Sequence, residues 1–265
     1  ACLVGSEMCI RDRTYINKGK LEWRAEWVSL WYTFDVDVEL YGKDHAAAGG
    51  SRDSCNELVR KIFNIDPPKG MPYEWVELVR EGKKEPMGSS EGITFNIDEW
   101  LRVGKPQVLK YWYLIMKAKT HLEFDPSITI PYLHEEYDKA ERIYFGLEEP
   151  ANKELEYDIK FSYLASNDFN PPKEIGIQVP YSLLAIIVQI LPKYDKLNEA
   201  IRKLKKIGYI KKDITEEYIR ELSEYIEKVT YWVNTYAPPN MKIKLVKEID
   251  KEFLMKLDDR EINLI

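Results

Sequence analysis

The chain has few cysteines and no arrangement that would organise them. Cys2, Cys9 and Cys55 are the three among 265 residues, and no two form a Cys-x-x-Cys pair. That excludes a zinc knuckle of that spacing and a disulfide scaffold. Such usage fits a reducing compartment, so a cytoplasmic location is expected. Histidine is equally scarce, with His45, His121 and His134. Long apolar runs are missing too. The longest, from Val179 to Leu191, is interrupted by Tyr181, Ser182 and Gln189, and it falls short of the roughly 20 residues that cross a bilayer. No membrane partner is expected. There is no surplus of positive charge: a net charge of −6 argues against a protein that coats nucleic acid indiscriminately, while leaving room for a local basic face.

What is present can build a core, since 45% of residues are hydrophobic and 12% aromatic. Residues 1–13 lack the charged n-region and apolar h-region of a signal peptide. They resemble translated adapter sequence and are expected to be a non-native leader, with the chain beginning inside a gene. The first informative unit is Phe34 to Tyr41, whose alternating apolar residues predict a strand. It runs into Gly42-Lys43-Asp44-His45, then a small-residue stretch to Ser51, then a helical pattern through Phe63. Pro67-Pro68 ends that helix. A strand feeding a helix through a glycine turn is the unit of open parallel α/β sheets, whose ligands sit at the carboxyl ends of the strands. Gly42 to His45 is therefore a candidate site edge. Tyr73 to Leu78 reads as a second strand and Ile93 to Phe95 as a third, with a polar loop between Gly82 and Gly92. Asp98 can cap a short helix through Leu101, and Pro106 suits the first turn of a helix to Lys119.

From Ile128 onward the pattern is helical, over 131–146, 153–166, 181–191, 193–207 and 215–235. Asp213 with Glu216 fits a capping box for the last of these. The expected organisation is an α/β part at 14–125 and an all-α domain at 126–265, with the boundary near Asp125-Pro126. Phe161, Tyr163, Phe169, Tyr181, Leu183 and Leu184 are expected in the core, as is the set Tyr218, Tyr225, Tyr231 and Trp232.

Taken alone, Asp44 either accepts hydrogen bonds from a ribose or caps the following helix. His45 is either a ligand contact or a satisfied helix-start residue. The wider order narrows this. Leu21-Glu-Trp-Arg-Ala-Glu-Trp27 precedes the strand, Gly42-Lys-Asp-His-Ala-Ala-Ala-Gly-Gly-Ser51 follows it, and Pro72-Tyr-Glu-Trp-Val76 and Pro86-Met-Gly-Ser-Ser-Glu-Gly92 come next. From Lys20 to Asp125 this set resembles the class I lysyl-tRNA synthetases, and it continues more loosely through Tyr132 to Arg142. The resemblance implies part of a Rossmann-type nucleotide-binding domain followed by a helical anticodon-binding domain. It implies lysine-tRNA ligase activity, with ATP and Mg2+, lysine and tRNA(Lys) as partners.

Residue by residue, it sets Gly42 and Asp44 near the adenosine ribose and Trp23, His45 and Tyr73 around lysine. An aromatic wall packs the lysine stem and attracts its ammonium by about 0.5–2 kcal/mol. Core packing is the alternative for Trp23 and Tyr73. The loop at 86–92 matches the family's Lys-Met-Ser-Ser-Ser-Lys-Gly, with Met87, Ser89 and Ser90 assigned to catalysis and Gly88 to ATP; the alternative for the serines is a polar turn. Pro86 and Glu91 stand where two lysines normally offset charge as pyrophosphate leaves. Either Lys83 or Lys84 replaces them, or a basic residue elsewhere does, or the reaction is slow. The family's His-x-Gly-His motif is missing, and truncation upstream is the expected reason, which would leave this chain inactive alone.

In the helical half, Lys193, Lys196, Arg202, Lys203, Lys205, Lys206, Lys211 and Lys212 form either a phosphate-facing surface or a solvated helix face. Lys205, Lys206, Lys211 and Lys212 are the residues assigned to tRNA, and Tyr194 and Tyr209 could stack on bases. Two rival functions remain: a class I synthetase for another amino acid, such as glutamate or arginine, and a non-catalytic RNA-binding module.

Overall fold

The structure, a computed structural model, describes residues 21–80, 82–87, 94–192, 194–211, 213–244, 252 and 255–258. Two compact units account for them: residues up to Trp75 with Ala118–Thr120, and Val76–Lys117 with residues from His121 onward. The expected leader lies outside the described residues, and the expected boundary at Asp125-Pro126 falls inside the second unit.

The first unit begins with helix α1 (Trp23–Thr33), followed by strand β1 (Val38–Gly42), a 3-10 turn (Lys43–Ala46), helix α2 (Ser51–Phe63) and strand β2 (Lys69–Tyr73). β1 and β2 pair in parallel, with Val38 opposite Lys69 and Gly42 opposite Tyr73, and α2 is the crossover between them. Helix α2 stops because Asn64 turns left-handed (φ 55°), a conformation asparagine tolerates, and the two prolines follow. The strand predicted from Phe34 starts only at Val38, because Asp35 at φ 50° breaks the extended run. Val28, Trp31, Cys55 and Val59 form the buried core, as α1 packs on α2.

The strand predicted over Tyr73–Leu78 meets β2 only at Tyr73, and its remainder from Val76 belongs to a separate strand. β2 ends at Tyr73, and the Glu74 amide turns aside to the Ala118 carbonyl (2.9 Å). In the second unit, β3 (Val76–Arg80) pairs antiparallel with β4 (Lys83–Pro86) and parallel with β5 (Leu122–Phe124). The hairpin between β3 and β4 needs Gly82, which sits at φ 75°. Thr94 and Phe95 are not strand, and Ile93 lies outside the described residues; Phe95 packs instead against Phe124 and Tyr236.

Seven helices follow among the described residues: α3 (Ile97–Val103), α4 (Pro106–Ile115), α5 (Thr129–Tyr144), α6 (Glu156–Ser166), α7 (Tyr181–Gln189), α8 (Lys196–Lys206) and α9 (Glu216–Thr235). Two caps differ from expectation. Asn96 rather than Asp98 caps α3, accepting from the Glu99 amide (2.8 Å). Thr215 rather than Asp213 caps α9, accepting from the Tyr218 amide (3.2 Å). In both cases the capping side chain stands directly before the first helical residue, where its oxygen can meet an unpaired amide.

The core of this unit is aromatic, and three of its ring donors reach backbone carbonyls, which offsets the cost of burying them. The Trp100 indole donates to Lys105 O (2.9 Å), Tyr181 Oη to Val103 O (3.0 Å) and the Trp232 indole to Pro126 O (2.8 Å). Tyr163, Tyr181, Leu184, Tyr225 and Trp232 are buried as expected. Phe161 and Phe169 are not: they are 46% and 63% exposed, because Phe161 points from the outer face of α6. Phe169 follows Asp168 into left-handed backbone, which turns its ring outward onto Phe161.

Candidate functional site

In a parallel pair both strands end on the same edge, so β1 and β2 deliver Gly42 and Tyr73 side by side. The chain leaves β1 in the 3-10 turn that carries Asp44 and His45. A 2.7 Å ion pair from Lys43 Nζ to Glu74 Oε2 ties this turn to the residue after Tyr73. The His45 ring is fixed through Nδ1, 3.0 Å from Ser51 Oγ at the start of α2.

On the other side of His45 stand the tryptophans of α1. The His45 ring lies 5.8 Å from Trp23 and 5.4 Å from Trp27, and the two indoles lie 6.1 Å apart, stacked at 27°. Trp23 is 46% exposed, so it is a surface wall rather than core. Trp27 continues onto buried Trp31 (5.2 Å). Arg52 closes the column from below, its guanidinium 4.5 Å from the Trp31 ring and 4.9 Å from Tyr41. Burial lowers the Arg52 pKa. Its Nη2 donates to Pro68 O, while Nη1 is buried without a hydrogen-bond partner. Gly70 makes room for this stack: a Cβ there would lie 2.6 Å from Tyr41 Cε1 and 3.2 Å from Arg52 Cζ.

The structure therefore brings Trp23 and His45 together and sets Gly42 and Tyr73 on one edge. Tyr73 is exposed and makes no ring contact with that cluster among the described residues. Asp44 is exposed and does not cap α2, whose N-cap is Gly50. Gly42 has an ordinary φ of −60°, and a Cβ there would meet nothing within 4 Å. Neither backbone nor neighbours require glycine at that position, and the space above it is open. Sequence reasoning had not assigned Trp27 and Glu39 to the site. Glu39 on β1 accepts a 2.9 Å hydrogen bond from the Trp27 indole. The signal was available, since Trp23, Trp27 and Trp31 recur every fourth residue and so line one helix face.

In the second unit, Met87 follows β4 and lines an apolar cavity of about 550 Å3 with Val76, Phe95, Trp100 and Phe124. Gly88, Ser89 and Ser90 lie outside the described residues. Lys84, one candidate replacement for the loop lysines, is held by Glu123 at 2.5 Å, which raises its pKa.

The basic stretch sorts by face. Lys205 and Lys206 are exposed on the last turn of α8, and Lys211 is exposed beyond it. Tyr194 and Tyr209 are also exposed, at 86% and 42%. Lys203 is buried, and Arg202 is forked onto Glu199 (2.8 Å), so neither belongs to an open basic surface. Lys193 and Lys212 lie outside the described residues. No helix among the described residues is long and apolar enough to cross a membrane.

Residues 5–164 match the family model of class I (K) tRNA synthetases. The chain is 36% identical to a lysine–tRNA ligase of Aeropyrum pernix over 93% of its own length and 45% of that protein. It is 34% identical to one of Picrophilus torridus (92% and 47%) and 32% identical to one of Methanocaldococcus jannaschii (96% and 49%). The chain thus spans about half the length of the curated relatives it matches. A family model covering more than half of the residues, on a β–α–β unit whose strand ends carry the family's motifs, identifies this chain as a member of the class I (K) tRNA synthetases.

Proposed function

We propose that this chain is part of a lysine–tRNA ligase, with lysine held against Trp23 and His45 and tRNA(Lys) against the helical half. The observation that carries the reading is the 5.8 Å pairing of the Trp23 and His45 rings, open to solvent beside the strand end at Gly42. An indole face takes the methylene stem and attracts the ammonium. In the tautomer whose Nδ1–H donates to Ser51 Oγ, the His45 Nε2 is an acceptor for an amine. Tyr73 would extend the wall along the edge. Open space above Gly42 suits close approach of an adenosine, with the Asp44 carboxylate accepting from ribose hydroxyls.

In the reaction the lysine carboxylate attacks the α-phosphorus of ATP. The bond to the bridging oxygen breaks, and pyrophosphate leaves with lysyl-adenylate formed. A 3′-terminal ribose hydroxyl then attacks the activated carbonyl, expelling AMP. This chain's residues contribute positioning and charge placement, with Met87, Ser89 and Ser90 assigned to catalysis and Gly88 to ATP by their place in the motif. Mg2+ would travel with the nucleotide. Among the described residues no group of three His, Cys, Asp or Glu side chains converges on a point.

ATP–pyrophosphate exchange by the full-length gene product, run with a panel of amino acids, tests the reading. Exchange with lysine is expected; exchange with glutamate or arginine but not lysine ends it. One observation favours a non-catalytic RNA-binding module instead: Pro86 and Glu91 replace the loop lysines, and Lys84 is committed to Glu123. That reading predicts tRNA binding without exchange for any amino acid.

A further inference from the structure

We propose that Glu39 and Trp27 form a clamp that positions the lysine-binding wall, an inference that rests on the function proposed above. Trp23 opens α1 and is nearly half exposed, so little of its own packing fixes its ring. Its stacking partner is Trp27, which also carries the second face contact to His45. The three rings form a triangle in which each touches the other two, and Trp27 is the member anchored from outside it, on Trp31 and on Glu39. Its orientation therefore supports the other two.

An indole on a helix can rotate about two side-chain torsions. Here two constraints remove that freedom. Below, the ring rests on Trp31, which is buried against Arg52. At the side, the indole N–H donates to Glu39 Oε1 at 2.9 Å. A bond to an ionised carboxylate is roughly twice as strong as a neutral one. It is also directional, so it fixes ring rotation where stacking alone would not. The bond spans twelve residues and joins α1 to the second residue of β1, three residues before Gly42. The same carboxylate therefore registers the tryptophan helix against the strand that delivers His45. Glu39 and Trp27 act through Trp23 and His45 and need not touch the substrate.

Three variants of the full-length gene product test this by lysine-dependent ATP–pyrophosphate exchange: Glu39→Leu removes the acceptor, Glu39→Gln restores one, and Trp27→Phe keeps a ring without the N–H. Contacts to the lysine stem are equally present in ground and transition states, so their loss raises KM and spares kcat. Glu39→Leu and Trp27→Phe should each raise the KM for lysine about tenfold, with kcat within about threefold, the size expected for losing a charge-assisted bond. Glu39→Gln should recover most of the loss. Because both changes break one bond, the double variant should be no worse than either single one. A lysine KM for Glu39→Leu within about twofold of the parent overturns the clamp, as do additive effects in the double variant. Loss of kcat at unchanged KM would mean that Glu39 merely supports the fold, and would also overturn it. If the parent enzyme shows no lysine-dependent exchange, the proposed function fails and takes the clamp with it; that result is separate from a parent that uses lysine while the variants behave like it.

Discussion

Helix α5 carries a buried histidine and a partly buried aspartate whose pH dependences oppose each other, and separating them is a demanding test of the second unit's core. His134 is 2% exposed. Its Nδ1–H donates to Ile130 O (2.8 Å) and its Nε2 accepts from the Lys105 amide (3.4 Å). A second ring proton would face an N–H instead of a lone pair, and burial adds to that cost. The imidazole is accordingly held neutral, with a pKa of about 3 against 6.5 in the unfolded chain. One helical turn on, burial pushes Asp138 up from 3.8 to about 7. The signs follow from proton counting. Below pH 6.5 the unfolded chain binds a proton at His134 that the folded one refuses, so stability falls as pH drops toward 3. Above pH 3.8 the unfolded chain releases a proton that folded Asp138 keeps, so stability falls as pH rises toward 7. Between about pH 4.5 and 6 the two contributions, each about 1.4 kcal/mol per pH unit, cancel.

The perturbations are therefore His134→Phe and Asp138→Asn, each removing one titration. Urea midpoints for the second unit's transition, measured at half-unit steps from pH 4.5 to 6, give the slopes. His134→Phe should lose about 2 kcal/mol more than the parent on going from pH 4.5 to 6, while Asp138→Asn should gain about 2 kcal/mol relative to the parent over the same range. The constant cost of the lost hydrogen bonds moves the curves without changing their slopes. Equal slopes in all three proteins would refute the assignment of these two groups.

Gly104 lies under the same histidine. A Cβ there would stand 2.9 Å from the Trp100 ring and 3.0 Å from His134 Cε1, and both rings are held by hydrogen bonds. Gly104→Ala should cost about 1–3 kcal/mol by thermal unfolding, and a neutral result would show that the rings can yield. Thr215→Ala removes the α9 cap and should cost about 1 kcal/mol, whereas Asp213→Ala should cost almost nothing. Charge reversal at Lys205, Lys206 and Lys211 together should weaken tRNA binding and flatten its salt dependence, measured by filter binding across salt concentrations. Reversal at Arg202, which already faces Glu199, should change the slope little.

How much of this was legible in the sequence divides along physical lines. Where one signal decides, the sequence was enough: a glycine after an alternating strand, a small-residue turn and an amphipathic run specified β1, its turn and α2, and six helices in the C-terminal half or at its edge fell within a few residues of where their patterns put them. Where a partner far along the chain decides, it was not. Nothing local to Lys69–Pro72 announces a strand, since pairing with β1 is what holds it extended, and nothing local to Glu74 announces that its amide bonds to Ala118. β4, with two lysines and a glutamate, is strand only because Gly82 folds it back on β3. The same holds at the site. Trp23 and His45 could be named because their motifs carry them, but a motif gives membership and not geometry. That Trp27 is fixed beside both rings depends on a carboxylate twelve residues away, and that Lys203 is buried while Lys205 is open depends on which face of α8 packs inward. Each of these is a fact of three-dimensional neighbourhood. The aromatic residues show the division most plainly: Tyr163 is core and Phe161 surface although they stand two apart on one helix. Hydrophobicity ranks phenylalanine as the more apolar of the two, but the 100° turn per residue decides which ring faces inward. An exposed aromatic in this protein is thus read correctly only after the face is known, which is why the stacking role of Tyr194 and Tyr209 is a question for the charge-reversal experiment and the wall at Trp23 a question for lysine kinetics.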